Sequence, residues 1–118
     1  MKDFRKLPLF SAYLLELVGN KFYAGSTLST EVSNRYQTHV RGDGSAWTNK
    51  YPPIRVIQTW GRLTSSEAFQ KEQSLTEDLI EQHQDLEVCR GGRWNFPEHT
   101  TWWVPPRLSH LVVVHPPL

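Results

Sequence analysis

Residues 11–28, SAYLLELVGNKFYAGSTL, decide how the rest of the chain is read. Two apolar, aromatic-rich runs are broken by Gly19-Asn20, a pair that supplies the positive φ of a tight hairpin turn. The pattern predicts strands over 10–18 and 21–27, paired as a β-hairpin. Each run carries a tyrosine, Tyr13 in one and Tyr23 in the other, at positions where valine or isoleucine would pack better. That placement asks for a reason beyond the sheet.

Working outward, Ser29 or Thr30 can cap a helix over 31–41, with Glu31 in its first turn and Gly42 to Gly44 ending it. The segment GDGSAWTNKYPP reads as a loop, and IRVIQTW after it as a third strand over 54–60. Thr64 and Glu67 then make a Thr-x-x-Glu capping box that opens a helix running to about Gln84. The remainder holds five of the eight prolines and three of the five tryptophans, so it is expected to be irregular. The fold class is α+β, a small mixed or antiparallel three-stranded sheet flanked by helices. Residues 1–92 would form the core, and 93–118 a Trp/Pro-rich extension packed on the same domain.

A chain of 118 residues is one domain by length, and thirteen basic against twelve acidic side chains leave a net charge of +1. Global charge therefore gives no pull toward nucleic acid, and any such binding must come from local clustering. One cysteine, Cys89, rules out an internal disulfide and fits a reducing compartment, so a cytoplasmic home is expected. No apolar stretch of signal length opens the chain, and the longest uncharged apolar run, 111–114, is far too short to span a bilayer. No membrane partner is expected.

The helices carry the second anomaly. On the later one Ala68, Glu72, Leu75 and Leu79 share a stripe, so a carboxylate projects from the side that should be buried. Its ordinary escapes there are protonation, an ion pair or a metal ion. On the earlier one Val32, Arg35, Tyr36 and His39 share a face, which sets a guanidinium and an imidazole beside apolar residues. If both helices pack on the hairpin, Tyr13, Tyr23, Arg35, His39 and Glu72 converge. They supply an acid or base, a cation and a hard oxygen ligand, the parts needed to attack a phosphodiester. By contrast Glu77, Asp78 and Glu81 read as a solvated helix face. His83, His99, His110 and His115 with Cys89 lack the paired spacing of a structural zinc site.

In this order the triplets Ser11-Ala12-Tyr13 and Tyr23-Ala24-Gly25, the Arg35-x-x-x-His39 pair and the Ala68-x-x-x-Glu72 pair resemble the GIY-YIG nuclease family, over residues 11–92. The segment GSAWTNKYPP before a strand and the run Val88 to Gly92 are also similar to parts of its small phage and bacterial members. The resemblance implies a metal-dependent endonuclease acting on DNA, single-stranded or structured DNA included and RNA left open, that leaves a 5′-phosphate and a 3′-hydroxyl. Tyr13 would take a proton from the attacking water or orient it, and Tyr23 would position water and phosphate, with the choice of base between them open. Arg35 would hold the scissile phosphate, His39 would relay a proton or touch phosphate, and Glu72 would bind one Mg²⁺ or Mn²⁺. Gly25 would permit close backbone approach. The family's asparagine has no assured counterpart, and Asn95 is left without that role.

Arg41, Lys50, Arg55, Arg62, Arg90 and Arg93 are candidate phosphate contacts in loops and strand ends. Trp47 either stacks on an unpaired base or packs beneath its loop. Trp94, Trp102 and Trp103 are read as anchors for the proline-rich tail in preference to a second stacking platform. Two other classes compete with the enzyme, an inert nucleic-acid-binding relative and a protein-interaction module built on the tail. Oligomeric state is not readable from the chain.

Overall fold

The computed structural model describes residues 8–94 and 105–111. The hairpin forms where the sequence puts it, as β1 (Phe10–Leu17) and β2 (Lys21–Leu28) in antiparallel register with Tyr13 opposite Gly25 and Leu15 opposite Tyr23. Gly19 and Asn20 both sit at positive φ, 76° and 59°, as the two-residue turn requires. A 3-10 turn (Ser29–Glu31) leads into α1 (Val32–Val40). The expected cap does not form there, because the turn takes up Ser29 and Thr30 and puts Glu31 at the N-cap; the Ser29 hydroxyl instead bonds Ser11 Oγ at 2.8 Å. The predicted loop contains a short helix, α2 (Ala46–Lys50), capped by Ser45, whose Oγ accepts the Thr48 N–H at 3.1 Å.

β3 (Pro53–Leu63) is longer than the expected strand and pairs antiparallel with β1 through several register shifts. The capping box closes as read: Thr64 N–H donates to Glu67 Oε1 at 2.8 Å and Glu67 N–H to Thr64 Oγ1 at 3.1 Å. It starts α3 (Ser65–His83), which ends at a left-handed Gln84. Among the described residues no helix is long and apolar enough to cross a membrane.

One correction concerns the sheet. It has four strands, in the order β3-β1-β2-β4, and β4 (Cys89–Gly91) runs parallel to β2. Three residues carry no readable periodicity, so only the pairing with β2 reveals them as a strand.

Alternation along the hairpin sorts the two faces. Tyr13, Leu15, Leu17 and Tyr23 cluster with Trp47 of α2, and the half-buried Tyr36 of α1 packs against them. On the other face Phe22 packs against Ile80 of α3 together with Leu86, Val88, Cys89, Trp94 and Leu108. Leu108 lies in a second 3-10 helix (Pro106–Leu111), so this part of the tail docks on α3. Arg107 beside it pairs with Asp78 at 2.7 Å and Glu81 at 3.4 Å.

Candidate active site

β4 stops at Gly91, opposite Ala24, so from Gly25 onward β2 pairs with β1 alone. A notch opens where the fourth strand ends, and groups from both faces of the sheet meet there.

From the α1 face comes a directed hydrogen-bond line. Tyr13 Oη and His39 Nε2 are 2.9 Å apart, His39 Nδ1 and Thr48 Oγ1 are 2.9 Å apart, and Thr48 Oγ1 donates to Ser45 O at 3.3 Å. If the Tyr13 hydroxyl donates, Nε2 is the bare nitrogen and Nδ1–H donates onward to Thr48, so every donor in the line has an acceptor. His39 is fully buried, and burial followed by the Arg35 charge lowers its pKa from 6.5 to about 4. The imidazole is therefore neutral at neutral pH. Its ring stands 4.8 Å from that of Tyr23.

Burial also raises both tyrosines. Tyr13 moves well above its usual value, with Tyr23 adding to the shift and Arg35 opposing it. Tyr23 is pushed up to about 12, by burial and then by the Glu72 charge, against Arg35. Two glycines give these rings their places. A Cβ on Gly25 would run into the Tyr13 hydroxyl, and one on Gly44 would run into the His39 ring.

Glu72 comes from the α3 face. The most buried line of that helix is Ala68, Glu72, Thr76 and Ile80, so the carboxylate does sit on the inward stripe, while Leu75 and Leu79 flank it half-buried. Burial raises its pKa, and the Ser26 hydroxyl, the Gly92 N–H and the Arg35 charge pull it back down. Gly92 is one residue and Ser26 two residues past the last β2–β4 pair, which puts Glu72 at the notch. Arg35 is exposed on α1 and acts electrostatically on Tyr13, Tyr23, His39 and Glu72. The five residues singled out by spacing thus share one electrostatic neighbourhood.

The donor set limits what the notch can hold. Among the described residues no group of three or more His, Cys, Asp or Glu side chains could cage a metal ion. One carboxylate is a sparse donor set; Mg²⁺ is commonly held by one or two carboxylates with water and substrate phosphate oxygens as its other ligands.

The outer candidates divide. Arg93 is exposed and adjoins Gly92, its N–H donating to Gln73 Oε1 at 2.8 Å. Arg41 is exposed just beyond α1 and 3.8 Å from Asp43. Lys50 lies over the Tyr51 ring at 5.4 Å, and Arg55 pairs with Glu16 at 2.6 Å. Glu16 is three residues along β1 from Tyr13, about 10 Å toward the hairpin turn. Two expectations need correction. Trp47 is fully buried and donates its indole N–H to Phe22 O at 2.8 Å, so it packs and offers no face for stacking. Arg90 is fully buried too, its guanidinium 4.6 Å from the Trp47 ring and bonded to Leu86 O, Cys89 O and Glu87. It is a core residue that supports Trp47 and does not reach phosphate. Trp94 is buried against Leu108, as an anchor would be. Asn95, His99, Trp102, Trp103 and His115 lie outside the described residues. Sequence reasoning missed Thr48, Gly44 and Ser26, whose roles depend on contacts across the chain.

No family model matches the chain, and no solved structure does. Curated relatives carry the name UPF0213 protein. One from Cupriavidus necator is 40% identical over 60 residues, covering 51% of this chain and 63% of the relative. One from Cupriavidus pinatubonensis is 37% identical over 60 residues, 51% and 64% of the two chains. One from Xanthomonas campestris pv. campestris is 36% identical over 59 residues, 48% and 56%. The matched segment spans about six-tenths of these relatives' length.

Proposed function

We propose that the chain is a metal-dependent endonuclease of the GIY-YIG type that hydrolyses phosphodiester bonds in DNA. The observation that carries the reading is the line Tyr13–His39–Thr48 in the same electrostatic neighbourhood as Arg35 and the buried carboxylate of Glu72. Packing alone calls for neither a neutral imidazole on a tyrosine hydroxyl nor a glutamate on an inward stripe.

Each group then has a task. Arg35 would hold the scissile phosphate through its planar fork and meet the charge that grows on it. Water attacking phosphorus would pass a proton to Tyr13 Oη as Tyr13 passes its own to His39 Nε2, with Thr48 steadying the other ring nitrogen. A concerted hand-off avoids a free phenolate, which burial makes costly. Tyr23 stays a neutral phenol and can donate to phosphate or water. The bond from phosphorus to the 3′ oxygen breaks, that oxygen takes a proton from solvent, and the ends are a 5′-phosphate and a 3′-hydroxyl. Glu72 would hold the Mg²⁺ or Mn²⁺, which when bound supplies Lewis-acid stabilisation of phosphate charge.

The test is cleavage of end-labelled single-stranded and duplex DNA with Mg²⁺, with Mn²⁺ or with chelator, beside Glu72→Gln and Tyr13→Phe. Metal-dependent cutting that is lost in both folded variants is the expected result. Binding without cutting under every condition would assign the chain to the inert nucleic-acid-binding class, and cutting that survives both substitutions would trace to a contaminant.

A further inference from the structure

We infer that a cavity beside this site, walled by Phe69, Gln70 and Ser74 of α3 and by Arg93, receives one unstacked nucleobase of the substrate strand next to the scissile phosphate. The inference rests on the nuclease reading and adds to it the state of the substrate, a strand with at least one base free to leave its stack.

Position comes first. The cavity measures about 430 Å³, within the range of small-ligand sites and too small for a duplex. Phe69 and Gln73 lie on α3 within one turn of Glu72, about 4.5 Å of axial rise at most. Gln73 joins the two places, because its Oε1 accepts the Arg93 N–H while the Gly92 N–H faces Glu72. A strand whose phosphate sits at Glu72 would reach the cavity past Gln73 and Arg93.

The lining chemistry is that of a base. Phe69 leaves 42% of its surface in water although it sits one turn before Glu72 on the same side of α3. An aromatic face beside amide and hydroxyl groups can stack a base and bond its edge. Among the described residues the Gln70 and Ser74 side chains have no hydrogen-bond partner, so both are available to that edge. The acid in the lining, Glu77, is held by Gln73 Nε2 at 2.6 Å and lies 3.9 Å from Arg107, which mutes its repulsion of phosphate. Arg93 adds positive charge at the rim. The sequence left Trp47 open between stacking and packing; with Trp47 buried, Phe69 is the exposed ring beside the site.

The experiment places 2-aminopurine at successive positions of a single-stranded oligonucleotide that the chain cleaves, and reads its fluorescence in complex with the full chain under chelator. A change confined to one position beside the cut is expected, lost in Phe69→Ala and kept in Phe69→Tyr, with affinity weakened roughly five- to a hundred-fold by the alanine. Phe69 is partly exposed, so circular dichroism should show both variants folded. If the wild-type chain cleaves while the signal is uniform along the strand or survives in Phe69→Ala, the base subsite is overturned and the nuclease reading stands. If the chain neither binds nor cleaves any oligonucleotide, the nuclease reading falls and the subsite falls with it.

Discussion

A methyl group added at Gly25 would meet the Tyr13 hydroxyl closer than real carbon contacts occur, because the two residues face each other across the hairpin. Gly25→Ala is therefore expected to push Tyr13 off His39 Nε2 and to lower cleavage on the order of a hundred-fold, the scale of an ångström's misplacement. Steady-state cleavage, with circular dichroism to confirm the sheet, checks it; wild-type rates would mean that the Tyr13–His39 contact is not needed. His39 makes a second prediction, in pH. Its pKa is near 6.5 unfolded and about 4 folded, so between those values the unfolded chain binds more protons. Its contribution to stability is complete above pH 6.5 and fades as pH falls toward 4, by about 3 kcal/mol. Urea unfolding from pH 4.5 to 7.5 should show that slope, and a folded His39→Gln should flatten it.

The elements differ in how much of them a local rule decides. α3 depends on its box, and Thr64→Ala should cost about 1 kcal/mol, read as a melting point lower by several degrees. An unchanged melting point would mean that packing alone sets where the helix starts. That box was legible because its partners lie three residues apart, and so was the hairpin, whose turn needs only two residues at positive φ. β4 was not legible, since three residues acquire strand geometry only from β2 beside them. α2 escaped for a similar reason, five residues held by one serine cap and by the burial of Trp47. The start of α1 was legible to within a residue but its cap was not, since a 3-10 turn takes up Ser29 and Thr30 and the Ser29 hydroxyl bonds Ser11, eighteen residues away. Within the site, Tyr13, Tyr23, His39 and Glu72 stood out as residues that packing rules would not choose. Thr48, Gly44 and Ser26 look like ordinary loop or strand residues until the chain folds around them. Arg90 is the opposite case, a charged residue read as surface that the fold encloses under an indole.

At the scale of the whole molecule, the site draws on every layer at once. Tyr13 and Tyr23 come from the sheet, His39 and Arg35 from α1, Thr48 from α2 and Glu72 from α3, with Glu72 bonded to Ser26 and Gly92 just beyond the end of β4. Tail residues 105–111 dock against α3 through Leu108 and Arg107, on the helix that carries Glu72. Such a notch gathers groups that oppose folding. Burial raises the Glu72 pKa, so between its unfolded value and that raised value the native chain holds the proton more tightly. Stability from this group is present at acid pH and is lost as pH rises through the folded pKa, the reverse of His39. Glu72→Gln removes the buried charge and keeps an oxygen for the Ser26 hydroxyl and the Gly92 N–H. At pH 7 to 8 the variant should melt a few degrees above the parent while its cleavage falls to background, a trade of stability against activity. Near pH 4 the two melting points should converge, because the parent carboxyl is then protonated as well. Thermal melts of both chains at pH 4, 6 and 8, beside cleavage at pH 8, decide the matter. A glutamine variant less stable than the parent at pH 8 would show that the carboxylate is a favourable structural anchor, and a carboxylate so well satisfied would have little reason to take a metal ion.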